Sequence, residues 1–206
     1  MVVAMVGFTA SETDVIEGLI GRIAGDGYPL EELVRVERAD MPGYNGRVVP
    51  LPQGDGYAVT MYLAHCAPFT IAHELAHIAD IRARRRETRD HLSLRMPENW
   101  HLAHRMSSEY VANRLATVYV DEAETFAAFQ SDHVGLAAAA RDRDWTSLLI
   151  YYALILGLFH GLGRHDCDPV KLLSPAINLP TNVAEGMSGF RAEADTSFQA
   201  GWRPQV

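Results

Sequence analysis

Residues 73–77 read His-Glu-Leu-Ala-His, a pattern that works as one unit only on a helix. Histidines four apart lie about 40° from one another around a helix axis, so both imidazoles can reach a single ion. Zinc suits such a pair, because it takes nitrogen and oxygen ligands in tetrahedral geometry. Glu74 points about 100° away from His73, beside the ion rather than at it. A carboxylate there can take a proton from water activated at the metal. Pro68 can open the helix, since the N–H that proline lacks is not needed in a first turn. The helix is expected from about Phe69 to Arg86, with Phe69-Thr70-Ile71-Ala72 apolar on the face opposite the histidines. Two surface histidines on an amphipathic helix are the competing reading.

A catalytic zinc site needs a third protein ligand and leaves a fourth position for water. A histidine six residues past His77 is ruled out, because Asp80 and Ala83 occupy the relevant positions. The other option is a glutamate on a later helix. Residues 107–117 read Ser-Ser-Glu-Tyr-Val-Ala-Asn-Arg-Leu-Ala-Thr. Glu109 and Asn113 share one helix face, and Ala112 between them allows another helix to approach. Glu109 is the candidate third ligand. Asn113 could hydrogen-bond the free ring nitrogen of a ligand histidine and fix its tautomer. Asp80 lies about 10 Å along the axis from His73; it suits a pairing with a neighbouring arginine better than support of a ligand.

The runs Phe-Thr-Ile-Ala-His-Glu-Leu-Ala-His at 69–77 and Glu-Tyr-Val-Ala-Asn-Arg-Leu-Ala at 109–116 resemble the ImmA/IrrE-type metallopeptidases, a family of gluzincins, over roughly residues 10 to 125. The resemblance implies His73, His77 and Glu109 as zinc ligands, Glu74 as catalytic base and Asn113 as their support. It also implies a regulatory protein as substrate. Ala76 stands where the family pattern has glycine. Tyr119-Val120-Asp121-Glu122 stands where it has Leu-Leu-Met-Pro, and no helix-turn-helix segment is recognised.

Around these motifs the chain of 206 residues reads as helix, small sheet, then helices, an α+β layout. Ser11, Thr13 and Asp14 precede Val15, Leu19, Ile20 and Ile23 at helical spacing, and Gly25-Asp26-Gly27 ends that helix. Strands are expected at Leu33–Val36, Val48–Leu51 and Tyr57–Ala64, with hairpin chemistry at Gln53-Gly54-Asp55-Gly56. A helix is expected from Asn99 to about Phe126. The remainder reads as mostly helical, with a Pro/Gly-rich tail from near Pro175. The expected architecture is a zincin-like metallopeptidase core over 1–126, namely a small sheet with the two ligand helices. A helical C-terminal extension over 127–206 packs on it, or the whole is one domain.

Composition removes several function classes. A net charge of −8 speaks against direct nucleic-acid binding, where phosphate neutralisation supplies most of the affinity. The basic stretch Arg82 to Arg89 stands alone, and Lys171 is the only lysine. The apolar run Leu148 to Phe159 is about twelve residues long where a membrane span needs about twenty, so a buried helix is expected. The N-terminus has no positive region ahead of its apolar run and fails as a signal peptide. Cys66 and Cys167 form no disulfide framework and are expected as thiols in a cytoplasmic protein. The expected function is that of a zinc-dependent metallopeptidase acting on a protein or peptide, with strand Tyr57–Ala64 pairing with the substrate. A zinc amidohydrolase acting on a small molecule, and a regulatory protein with a non-hydrolytic zinc site, are the alternatives. His104, His160, His165, Tyr57 and Tyr62 are candidates for holding the oxyanion. His165, Asp166, Cys167 and Asp168 read as a polar loop.

Overall fold

The computed structural model describes residues 2–84 and 98–201, with the backbone alone at 98–99 and 195–201. Among the described residues the fold is α+β, with one four-stranded mixed sheet and six α-helices. Strand β1 (Ala4–Val6) leads into helix α1 (Ala10–Gly25), which crosses over to β2 (Leu33–Arg38), parallel to β1. Thr9 and Glu12 close a capping box at the start of α1, so each satisfies a backbone donor that a helix end leaves open. Strands β3 (Gly46–Gln53) and β4 (Gly56–Leu63) form an antiparallel hairpin. Gly54 supplies its turn with a φ of 57°, the conformation glycine adopts at no steric cost. The sheet order β1-β2-β4-β3 places β4 inside and β3 at an edge.

Tyr57, Val59, Met61 and Leu63 alternate with less buried neighbours along β4, so one face of the sheet meets the helices. Ala64 N–H donates to Asn45 C=O at 2.9 Å. Backbone groups alternate in direction along a strand, so residues 47, 49, 51 and 53 bond β4 while 46, 48, 50 and 52 face outward. Pro50 and Pro52 therefore cost the ladder no donor.

Helix α2 (Pro68–Ala83) has buried residues all round, from Phe69 to Ile81, as expected of a helix packed on more than one side. It lies between the sheet and α3 (Glu98–Tyr119). Proline does stand at its first turn, and the Phe69 N–H also reaches Glu124 Oε2 at 3.4 Å. The last residues expected in this helix, 85–86, lie outside the described residues, as do the basic stretch beyond Arg84 and the polar stretch before Glu98. The helix expected from Asn99 to Phe126 is two helices. Asp121 accepts from Glu124 N–H at 2.9 Å and caps a new helix, α4 (Glu122–Asp142), because a capping carboxylate makes a break less costly than continuation. The expected boundary at 126/127 falls inside α4. After Arg143, which adopts a φ of 57°, α5 (Trp145–Gly161) returns antiparallel. A short 3₁₀ turn at Pro169–Leu172 follows, then α6 (Thr181–Gly201). The tail expected from Pro175 is thus largely helical, since its glycines are spaced widely enough for a helix to tolerate.

Two hydrophobic clusters meet at α3. Ala112, Leu115, Ala116 and Tyr119 belong with α1, α2 and the sheet. Met106, Tyr110 and Val111 belong with α4, α5 and α6. The helices cross closely at Gly157 and Gly161, where a Cβ would collide with the Tyr110 and Arg114 carbonyls of α3. No helix among the described residues is long and apolar enough to cross a membrane.

Candidate metal centre

His73 and His77 project from α2 toward Glu109 on α3. Their Nε2 atoms lie 3.0 Å apart, and each is 3.3–3.4 Å from Glu109 Oε2. Among the described residues these three form the one group able to hold a metal ion. Two ligands about 2.0–2.1 Å from a tetrahedral ion lie about 3.3–3.4 Å from each other, so the donor triangle is close to the size required.

Hydrogen-bond direction fixes the imidazoles. Asn113 Nδ2 donates to Asp132 Oδ2 at 2.9 Å and to the Leu154 carbonyl at 3.0 Å. The Leu154 carbonyl can only accept, so the Asn113 amide has one orientation and its Oδ1 must face His73 Nδ1, 2.7 Å away. His73 therefore carries a proton on Nδ1. On the second arm Ser108 Oγ donates to Asp80 Oδ2 at 2.9 Å. Its one proton is thereby used, so the Ser108 oxygen accepts from His77 Nδ1 at 2.9 Å. With both Nδ1 atoms protonated, each ring in its neutral form directs its Nε2 lone pair at the same point as the Glu109 carboxylate. Three donors converging without a cation repel one another.

The electrostatics report the same demand. Burial pushes His73 toward its neutral form, but Glu109 outweighs it and holds the pKa at about 9. Burial opposes charge on Glu109 too, yet the histidines hold its carboxyl far below the usual range. Without a metal, a proton takes the place of the cation. Burial raises the Glu74 pKa against the pull of His73 and His77. Glu74 is 6% exposed, and its carboxyl lies against β3 at Gly46. Burial also raises Asp132 to about 6, in spite of the hydrogen bond from Asn113.

The structure brings His73, His77 and Glu109 together and sets Asn113 against His73. Asp80 both pairs with Arg84, whose Nε is 2.7 Å away, and supports the site through Ser108. Ser108 and Asp132 escape a reading by spacing, because their roles depend on how α2, α3 and α4 pack. The sole signal for Ser108 is its place beside Glu109. Strand β4 is paired on both edges, which corrects the expectation that Tyr57–Ala64 receives an added strand; the edge strands are β1 and β3, and β3 is the one that lies against Glu74. Tyr57 pairs with Pro52, six residues from the Leu63–Gly46 pair, which puts it about 20 Å from the Glu74 end. His160 is buried against Tyr110, with Nδ1 2.8 Å from the Tyr110 hydroxyl. His104 shares a face of α3 with Ser108. Asp168 caps the 3₁₀ turn and pairs with Arg191 at 2.7 Å, as befits a polar loop. Cys66 and Cys167 are free thiols.

An open depression of about 610 Å³ is walled by Arg38, Asp40, Tyr44, Asn45, His65 and Ser131 among others, and His73, Glu74, His77 and Glu109 do not line it. Asn45 precedes Gly46, and Ser131 precedes Asp132. Comparisons of the chain with family models, curated proteins and solved structures found no match.

Proposed function

We propose that this chain is a zinc-dependent metallopeptidase of the gluzincin type, with the ImmA/IrrE-like arrangement of a zincin core, acting on a peptide or protein. The observation that carries this reading is the double lock on the imidazoles. Both Nε2 atoms are directed to one point beside the half-buried Glu109 carboxylate, and a separate, buried glutamate, Glu74, is not needed to complete the triangle. A purely structural zinc site closes with four ligands and needs no such base.

His73, His77 and Glu109 hold the ion. When bound, zinc supplies Lewis acidity and brings the deprotonation of water to about pH 7. Glu74 accepts the proton of the attacking water and returns it to the leaving nitrogen as the C–N bond breaks. Burial raises the Glu74 pKa, which makes it a stronger acceptor than an exposed carboxylate. A peptide laid along the outer edge of β3 meets the outward N–H groups of Gly46 and Val48 beside Glu74, while Pro50 and Pro52 offer carbonyls alone. An open depression beside an edge strand suits an extended chain better than a small metabolite. Two free thiols suit a reducing cytoplasm.

The test couples metal content to turnover. Purified protein holds about one zinc per chain, and His73→Ala, His77→Ala and Glu109→Ala each lose it. Glu74→Gln keeps the metal, and its cleavage of a proteome-derived peptide mixture falls by about 10²–10⁴-fold. Protein prepared without chelators that holds no metal overturns the reading, as does cleavage that survives both Glu74→Gln and metal removal.

A further inference from the structure

We propose that Gly46 is the positioning residue for Glu74: its missing side chain leaves the seat in which the carboxylate rests against edge strand β3. This rests on the peptidase reading of the site. Glycine at 46 is not there for backbone reasons. Five glycines adopt positive φ, Gly7, Gly27, Gly43, Gly54 and Gly163, and Gly46 is not among them. The turn ahead of β3 takes its positive φ from Gly43, at 84°. Glycine at a strand position forgoes packing and adds backbone entropy, so close approach is the remaining reason. A Cβ at residue 46 would lie 2.6 Å from both Cγ and Oε1 of Glu74 and 2.9 Å from Cδ. Glu74 cannot escape by swinging into water, because it is 6% exposed. Any side chain at 46 therefore displaces the carboxylate and leaves His73, His77 and Glu109 untouched. The same glycine turns its N–H outward from the sheet edge, so base and strand edge meet at one residue.

The experiment uses zinc-loaded full chain and acetohydroxamic acid, a small zinc chelator whose hydroxyl proton needs an acceptor beside the ion. Zinc affinity is read by competition with a chromogenic chelator, and hydroxamate affinity by calorimetry. Gly46→Ala keeps its zinc Kd within about threefold, below the 10- to 100-fold cost of losing support for a ligand. Its hydroxamate Kd rises at least about tenfold, as in Glu74→Gln, the loss expected of a charge-assisted hydrogen bond. The double variant Gly46→Ala/Glu74→Gln binds no more weakly than Glu74→Gln alone. If Gly46→Ala does not fold, Gly46→Ala/Glu74→Asp restores folding, because its side chain is one methylene shorter; failure to restore it overturns the proposal. So does parental hydroxamate affinity in Gly46→Ala when Glu74→Gln is weakened. Parental affinity in Glu74→Gln instead defeats the assignment of the base itself.

Discussion

Ser108→Ala tests the lock on His77 without touching a ligand. The substitution removes two hydrogen bonds, each 2.9 Å long, one accepted from His77 Nδ1 and one donated to Asp80 Oδ2. Asp80 loses little, because Arg84 still holds it. His77 loses the group that keeps its proton on Nδ1, so the tautomer with a protonated Nε2 becomes accessible and competes with metal binding. Losing such support costs about 10- to 100-fold in metal affinity, or about 1.4–2.8 kcal/mol. The metal-free protein loses less, about 1 kcal/mol, because water can replace one partner of a half-buried hydroxyl. The assay is thermal and denaturant unfolding with and without excess zinc. Stabilisation by zinc grows as the logarithm of concentration over Kd, so at fixed zinc it shrinks by about the same 1.4–2.8 kcal/mol. Ser108→Thr keeps the hydroxyl and retains parental affinity. Zinc affinity in Ser108→Ala within about twofold of the parent would refute the reasoning, since that lies below the range expected for such support.

The pH dependence of Asp132 is a second check. Its folded pKa of about 6 exceeds the ordinary aspartate value of 3.8, so the native chain holds the proton more tightly than the unfolded one. Stability contributed by that proton is full below about pH 4 and is lost as pH rises through 6. In metal-free protein, Asp132→Asn therefore gains roughly 2–3 kcal/mol over the parent at pH 7.5 and almost nothing at pH 4; urea titrations giving equal differences at both pH values contradict it. Gly157→Ala forces a methyl against the Tyr110 carbonyl and should cost about 1–3 kcal/mol as overpacking does, measured by the shift in denaturant midpoint.

Which parts of this arrangement a linear reading could reach follows from the range of the forces involved. His73, Glu74 and His77 belong to one turn of helix, so their relation is local. Glu109 and Asn113 share the next helix at the same spacing, and that too is periodic. The link from Ser108 to Asp80 depends on the register of α2 against α3, which no single helix encodes. Asp132 was further out of reach, because reading 99–126 as one helix removed the break at Asp121 that sets the course of α4. Strand β1, three residues long, is too short for alternation to register. Helix α6 was masked by the prolines before it. The placement of the edge strand also needed the sheet order, since Tyr57–Ala64 has the stronger alternation and yet lies inside.

The crossing of α3 and α5 at Gly157 and Gly161 has a consequence for inheritance. Every candidate ligand lies before residue 110, so a gene fragment ending at 126 would encode the whole donor set. It would not encode the Leu154 carbonyl that orients Asn113, the Asp132 carboxylate that shares the task, or the two glycines that let α5 lie flush against the ligand helix. The donors are portable and their alignment is not. Recombination that exchanged the C-terminal third of this chain for another helical segment would keep the signature at 73–77 and lose the tautomer of His73.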